Sequence, residues 1–326
     1  MIFDGVRNRF VRGALALLAV TGSVHAQTDY PTKPIQIVTS FPAGMATDIV
    51  ARVIADKLSQ RIGQQVYVTN KPGGGGIIAT ESVAKAAPDG YTLLVANPAL
   101  ATNAFLYKKL PYNTTRDFVG VALLGESPYL IVVNPELGAR TIQEFIAIAK
   151  KNPRAINYVS GGMGGATHLA CELFATKAGI EMTHVPYINM SNLTPDLWAN
   201  RVQVACFPTP SAVPLTKDGK MLALGASTAT AVKEPIAVPS VKEATGIDYI
   251  ASNWNGLFAP SRTPRPILEK LAKAMEQVLA DPEVKTKLAS LGMTPNPIFL
   301  GDFDKYFQAE LQRWEPVIKL TGVSLD

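Results

Sequence analysis

Two cysteines and three histidines are all that this chain of 326 residues contains, and those shortages exclude whole classes of function. Two thiols, Cys171 and Cys206, cannot build a disulfide-rich scaffold or a zinc site that relies on cysteine. In an oxidising compartment they can pair, and as buried thiols they can equally stay apart; spacing alone leaves both open. Charged residues make up only 17% of the chain. No run of Lys or Arg is long enough to follow a phosphate backbone, which argues against nucleic acid as a partner. Long hydrophobic runs are missing too. The apolar stretch from Ala14 to Val20 is far shorter than the roughly 20 residues that cross a bilayer core.

What is present at the start reads as an address. Arg7, Arg9 and Arg12 precede that apolar stretch, and Val24-His25-Ala26 closes it with small residues. This order is the pattern of a secretory signal peptide over residues 1–26, with Gln27 opening the mature protein. No cysteine follows the apolar stretch, so a lipid anchor has no attachment point. Cleavage removes three arginines and Asp4, and the formal charge drops from +5 to +3. A mildly basic body suits an anionic small molecule, though only weakly. The expected location is the periplasm.

The remaining 300 residues are enough for two cores. Short apolar strands are expected at 35–38, 66–68 and 91–96, separated by helices at 47–63 and 77–87. The alternation restarts with a strand at 130–133, a helix at 141–151 whose Thr141 and Glu144 form a capping-box pattern, and a strand at 157–160. A helix over 167–178, further strands near 184–186, 202–207 and 254–259, and a helical end follow. Such βαβ alternation implies parallel strands with helices on both faces. The fold class is therefore α/β with two lobes, each a mostly parallel sheet flanked by helices. The expected division is 27–127 with 252–326 in one lobe and 128–251 in the other.

In open α/β sheets ligands gather at the carboxyl ends of the strands, so function is sought in the loops there. The first, Phe41 to Asp48, has Gly44 for a tight turn and Thr47 or Asp48 to start a helix whose free amides can face an anion. The glycine run Gly73 to Gly76 lacks the phosphate-loop spacing, because Lys71 precedes the glycines, and reads as a flexible turn. The segment Ser160 to His168 is the strongest local signal. Its glycines permit close backbone approach and Thr167 adds a hydroxyl. The run beginning at Gly162 reaches Thr167 where a dinucleotide fingerprint needs glycine, so a carboxylate fits better than a nucleotide. His168 and His184, the histidines left after cleavage, are read as structural. Gly225-Ala226-Ser227-Thr228-Ala229 lacks the last glycine of a nucleophile elbow. No nucleophile, acid–base pair, metal site or cofactor motif emerges, and no enzyme is expected.

Several stretches resemble the Bug family, the receptor subunits of tripartite tricarboxylate transporters in Gram-negative bacteria. They include Tyr30–Ile35, the Phe41–Asp48 loop, Asn70–Gly73 with its glycines, Ala86–Leu93, Leu106–Tyr112, the 160–174 segment, His184–Tyr187 and Leu279–Val284. The resemblance runs over essentially the whole mature chain. It implies a two-lobed clamshell whose ligand is gripped by backbone amides, hydroxyls and water. By position, the contacts would be Phe41, Ala43, Gly44 and Thr47 from one lobe, and Ser160, Gly161, Gly164, Ala166, Thr167 and His168 from the other. Asp48 matches a loop aspartate suited to an amine or to fixing the loop.

Three departures from the family pattern bear on the ligand. Met45 stands where a second glycine is usual, Phe207 where an acidic residue is frequent, and Tyr187-Ile188-Asn189 where Tyr-Lys-Gly is common. Met45 and Phe207 therefore join the candidate site, and the pocket they imply is more apolar and poorly suited to amino acids. The expectation is a monomeric receptor that captures a small organic carboxylate, preferably an aromatic mono- or dicarboxylate, and hands it to membrane permease subunits. The alternatives are a periplasmic sensor for a membrane kinase and, less favoured, a periplasmic hydrolase.

Overall fold

The computed structural model describes residues 29–40, 43–187 and 193–325. The expected signal segment, Phe41, and the Ile188-Asn189 departure lie outside them. Strand β1 (Ile35–Thr39) leads into helix α1 (Ala46–Ile62). That helix forms because Val50, Ile54 and Leu58 recur on one buried face, and it stops at Gly63, whose left-handed backbone returns its amide to Ser59. Strand β2 (Val66–Asn70), helix α2 (Ile77–Ala84), strand β3 (Thr92–Ala96) and helix α3 (Ala99–Leu106) complete the first unit.

A long strand, β4 (Phe118–Val133), then carries the chain into a second unit of the same kind. Helix α4 (Ile142–Lys151) opens with the anticipated capping box, Thr141 and Glu144 each holding the other's amide. Strand β5 (Asn157–Ser160), helix α5 (Ala166–Ala178), strand β6 (Thr183–Pro186), helix α6 (Leu193–Trp198), strand β7 (Val204–Pro208) and helix α7 (Thr209–Thr216) follow. Strand β8 (Leu222–Ala226) and helix α8 (Val241–Thr245) precede β9 (Ser252–Pro260), which returns to the first unit. Helices α9 (Arg265–Ala280), α10 (Pro282–Ser290) and α11 (Leu300–Thr321) end the fold.

The strand order shows why two lobes arise. One sheet reads β2-β1-β3-β9-β4 and the other β6-β5-β7-β4-β8. Each is the same pattern: second strand, first strand, third strand, a strand arriving from the other half, then the fourth. The parallel pairings anticipated from βαβ alternation hold for β2-β1-β3 and β6-β5-β7. The crossing strands β4 and β9 pair antiparallel, so each sheet is mixed at its centre. Strand β4 pairs with β9, through register shifts at Gly120/Ala122 and Leu123/Gly125, as far as Pro128 opposite Ser252, then takes β7 as partner from Tyr129 opposite Pro208.

Separate cores back each sheet. Helices α1, α9 and α10 bury one face of the first, around Ile54, Leu271 and Met275. Leu193, Leu197, Phe207 and Leu215 close one face of the second. A third core runs continuously across both halves, because α11 lies against α3, β4 and α5. The cysteines left open by spacing form a buried disulfide. Cys171 on α5 and Cys206 on β7 have Cα atoms 5.3 Å apart, within the range a disulfide spans. Among the described residues, no helix is long and apolar enough to cross a membrane.

Candidate ligand-binding site

The parallel strands of both sheets present their carboxyl ends towards the crossover, and the loops leaving β1 and β5 are built alike. In the first, Gly44 has φ +85°, a backbone region that glycine enters without penalty. Met45 is extended (φ −74°, ψ 156°) and α1 begins at Ala46. In the second, Gly164 has φ +73°, Gly165 is extended (φ −68°, ψ 161°) and α5 begins at Ala166. The residues that follow are Ala-Thr-Asp in one helix and Ala-Thr-His in the other. Neither helix has a side-chain cap, whereas α4, α8 and α10 do. The first-turn amides of α1 and α5 therefore remain available, with the positive end of the helix dipole behind them.

In each loop the third helical residue ties the left-handed glycine to the helix. Asp48 Oδ2 accepts the Gly44 amide at 2.8 Å and Arg52 Nε at 3.0 Å, and its Oδ1 accepts Asn70 Nδ2 at 2.6 Å. The residue is only 1% exposed. Burial works to raise its carboxyl, but the hydrogen bonds from Arg52, Asn70 and Gly44 outweigh that and hold it below the ordinary carboxylate value. Both oxygens are thus engaged in fixing the loop. Across the cleft, His168 Nδ1 accepts the Gly164 amide at 3.1 Å. Its ring stacks on His184 at 4.0 Å between centroids, and Tyr158 lies beyond. Burial, aided by the His184 ring, lowers His168 from 6.5 to about 4. Although Glu172 Oε1 is 4.0 Å from His168 Nε2, that neighbour does not offset the desolvation.

The other predicted residues divide by exposure. Ala43, Gly44, Met45 and Gly161 are exposed, and Ala166 and Thr167 are half-buried. Thr47 is buried, and Thr167 Oγ1 accepts the Gly161 amide at 3.1 Å. Ser160 is fully buried, and its hydroxyl meets His184 Nε2 at 2.7 Å and the Gly162 amide at 3.1 Å. Phe207 is 3% exposed, opposite Leu130 in the core of the second sheet. The glycine run after β2 is left-handed at all four residues and docks on α3, where Asn103 Nδ2 donates to Gly75 O at 2.9 Å.

Sequence reasoning missed a second feature. A cavity of about 810 Å³ opens where the sheets cross, and Glu126, Thr209, Ser227, Ser252, Tyr306 and Arg313 contribute to its wall. Glu126 Oε2 accepts the Ser252 hydroxyl at 2.9 Å and the Tyr306 hydroxyl at 3.2 Å, while Oε1 accepts Asn296 Nδ2 at 2.9 Å. None of the loop residues named above lines it. Its residues are scattered from 126 to 313, so no local motif announces it. No group of three or more metal-ligating side chains occurs among the described residues.

The model for "Tripartite tricarboxylate transporter family receptor" matches residues 50–323. The chain is 36% identical over 319 residues to the UPF0065 protein in the tcbD-tcbE intergenic region of Pseudomonas sp. strain P51, covering 96% of this chain and 94% of that protein. Among solved structures, Rpa4515 of R. palustris with adipate is 32% identical, with TM-score 0.76 over 91% of this chain and 99% of that one. The periplasmic binding protein BugD is 28% identical, with TM-score 0.70 over 90% and 99% respectively. The molecule is a two-lobed solute-binding receptor and not an enzyme. The chain belongs to the receptor family of tripartite tricarboxylate transporters.

Proposed function

We propose that this protein captures a small organic carboxylate between its lobes in the periplasm and delivers it to membrane permease subunits, acting as a monomer after residues 1–26 are removed. The observation that carries the reading is the repeated loop. Two uncapped helix starts, each with an Ala-Thr pair behind a left-handed glycine, stand at the carboxyl ends of β1 and β5. A ligand anion that meets both sets of amides is held only when the lobes close, which shifts the equilibrium towards closure. Ala43, Gly44, Thr47, Gly161, Ala166 and Thr167 are the proposed contacts, and Phe41, outside the described residues, is proposed on the family resemblance alone. Asp48, Ser160, Gly164 and His168 shape the two loops from behind.

The proposed lobes are 27–127 with 252–326, and 128–251. The exchange of partners along β4 between Pro128 and Tyr129, where β9 begins, supports that division. For the ligand body we favour an aromatic mono- or dicarboxylate. Met45 and Met163 are 53% and 55% exposed on the two loops, and such flexible apolar side chains adapt to a flat or extended hydrocarbon. Asp48 spends both oxygens on its own loop and on Arg52 and Asn70, and Phe207 stands in the core of the second sheet, so neither offers a charge to an amino group. Calorimetric titration of the mature protein with terephthalate, benzoate, adipate and aspartate tests this. Saturable binding of the carboxylates with aspartate silent is expected. Binding of aspartate alone overturns the ligand class, and silence from all four overturns the receptor reading.

A further inference from the structure

The two loops share a tie whose chemistry differs. In each, the third helical residue accepts the amide of the left-handed glycine four residues earlier, Gly44 to Asp48 at 2.8 Å and Gly164 to His168 at 3.1 Å. The tie sets the direction of the loop amides that precede the helix. On the first lobe the acceptor is an anion, secured by Arg52 and Asn70. On the second it is an imidazole nitrogen, which accepts only while it carries no proton.

Besides the Gly164 amide, Nδ1 of His168 has no other hydrogen-bond partner among the described residues. His184 stacks on it from β6, Tyr158 lies beyond on β5, and Glu172 stands one turn along α5 with its carboxylate held by the Tyr158 hydroxyl. The faces packed against Gly164 are apolar. A Cβ placed there would lie 3.1 Å from Leu325 and 3.2 Å from Leu106. The same imidazole pair reaches the other end of the loop, because His184 bonds the Ser160 hydroxyl that meets the Gly162 amide. A proton on Nδ1 would set two N–H donors against each other in this dry site, and the tie would break.

We infer that His168 is the positioning residue of the second-lobe loop, its neutral Nε2–H tautomer holding Gly164 in the shape that grips the ligand, and that proton uptake by this ring loosens that lobe's grip while the Asp48 tie of the first lobe stays closed. This rests on the carboxylate-receptor reading for its consequence, although the tie itself can be measured without ligand. The low affinity of His168 for protons, from burial beside His184, places the loosening well below neutral pH.

The experiment uses the mature protein, its His168→Asn and His168→Ala variants, and adipate as the probe. Asparagine presents an oxygen close to the place of Nδ1 and does not titrate, whereas alanine removes the acceptor. Ring nitrogen NMR of the free wild type should show the Nε2–H tautomer at pH 7. The Gly164 amide should shift with the same acid midpoint as the ring. Its hydrogen exchange should quicken at least tenfold in His168→Ala and stay near wild type in His168→Asn. Adipate affinity at pH 7 should fall at least tenfold in the alanine variant and less than about threefold in the asparagine variant. An Nδ1–H tautomer, Gly164 exchange indifferent to the alanine change, or asparagine behaving like alanine would each overturn the inference. Failure of the wild type to bind adipate, terephthalate or benzoate counts against the carboxylate reading alone, since tautomer and exchange still decide the tie.

Discussion

Glu310 Oε2 accepts the indole N–H of Trp254 at 2.9 Å, joining the last helix to the second crossing strand in the fully buried interior. The same oxygen takes the Trp314 indole at 3.1 Å, and Arg313 pairs with the carboxylate. A buried acid serving two indoles is costly to disturb, because removal strands donors and a partly buried guanidinium together. Glu310→Ala is expected to lower stability by about 3–5 kcal/mol. Glu310→Gln keeps an acceptor and should lose roughly half as much. Urea unfolding followed by tryptophan fluorescence measures both, and equal losses would count against the charge pairing.

The disulfide between Cys171 and Cys206 closes a loop of 35 residues. Chain-entropy arithmetic for that length gives about 4 kcal/mol of stabilisation, against a typical range of about 2–4. The double variant Cys171→Ala with Cys206→Ala, or full reduction, should lower the unfolding free energy by that order. Thiol titration of the unreduced, unfolded protein should find no free thiol.

His168 also sets a pH dependence of stability. Its ring titrates near 4 in the folded protein and at the ordinary 6.5 when unfolded, so between those values the unfolded chain binds the extra proton. Stability should therefore be complete above pH 6.5 and decline as pH falls towards 4, by up to about 3 kcal/mol from this group. Wild type and His168→Asn compared in denaturant melts at pH 7 and pH 4.5 check the sign. The variant should lose less on acidification.

Asp48→Ala removes the acceptor for Gly44, Arg52 and Asn70 at once. A loss of about 1–3 kcal/mol follows from the stranded amide and charge. Adipate affinity should drop at least tenfold, because the first loop loses its tie. Asp48→Asn keeps part of the network and should fall between alanine and wild type in the same calorimetric titration.

Much of this architecture can be read from local pattern. The helices α1, α4 and α5 announce themselves through apolar spacing, the Thr141–Glu144 box and terminal glycines. Both candidate loops are visible because glycine beside Ala-Thr at a strand end has a direct backbone meaning. Other features depend on distant partners. The first part of β4 contains Gly120, Gly125 and Pro128, all strand breakers, and becomes a strand because β9 pairs along it. Helix α7 is hidden by Pro210 and Pro214, and α3 by Pro98, although Asn97 Oδ1 starts it by accepting the Ala99 amide. Whether Asp48 met an amine or tied its loop depended on Arg52 and Asn70 turning towards it. Pairing of Cys171 with Cys206 required the approach of α5 to β7. The antiparallel centre of each sheet and the Glu126 cavity arise from the crossover itself, which no short window of residues encodes.

The most direct test of carboxylate capture between the lobes is residue-resolved NMR of the mature protein titrated with adipate. Capture by the paired loops predicts that the amides of Ala46, Thr47, Ala166 and Thr167 shift together and saturate at one midpoint. Shifts that saturate at Ser227, Thr228 and Ser252 around the 810 Å³ cavity, with the four loop amides unmoved, would contradict it.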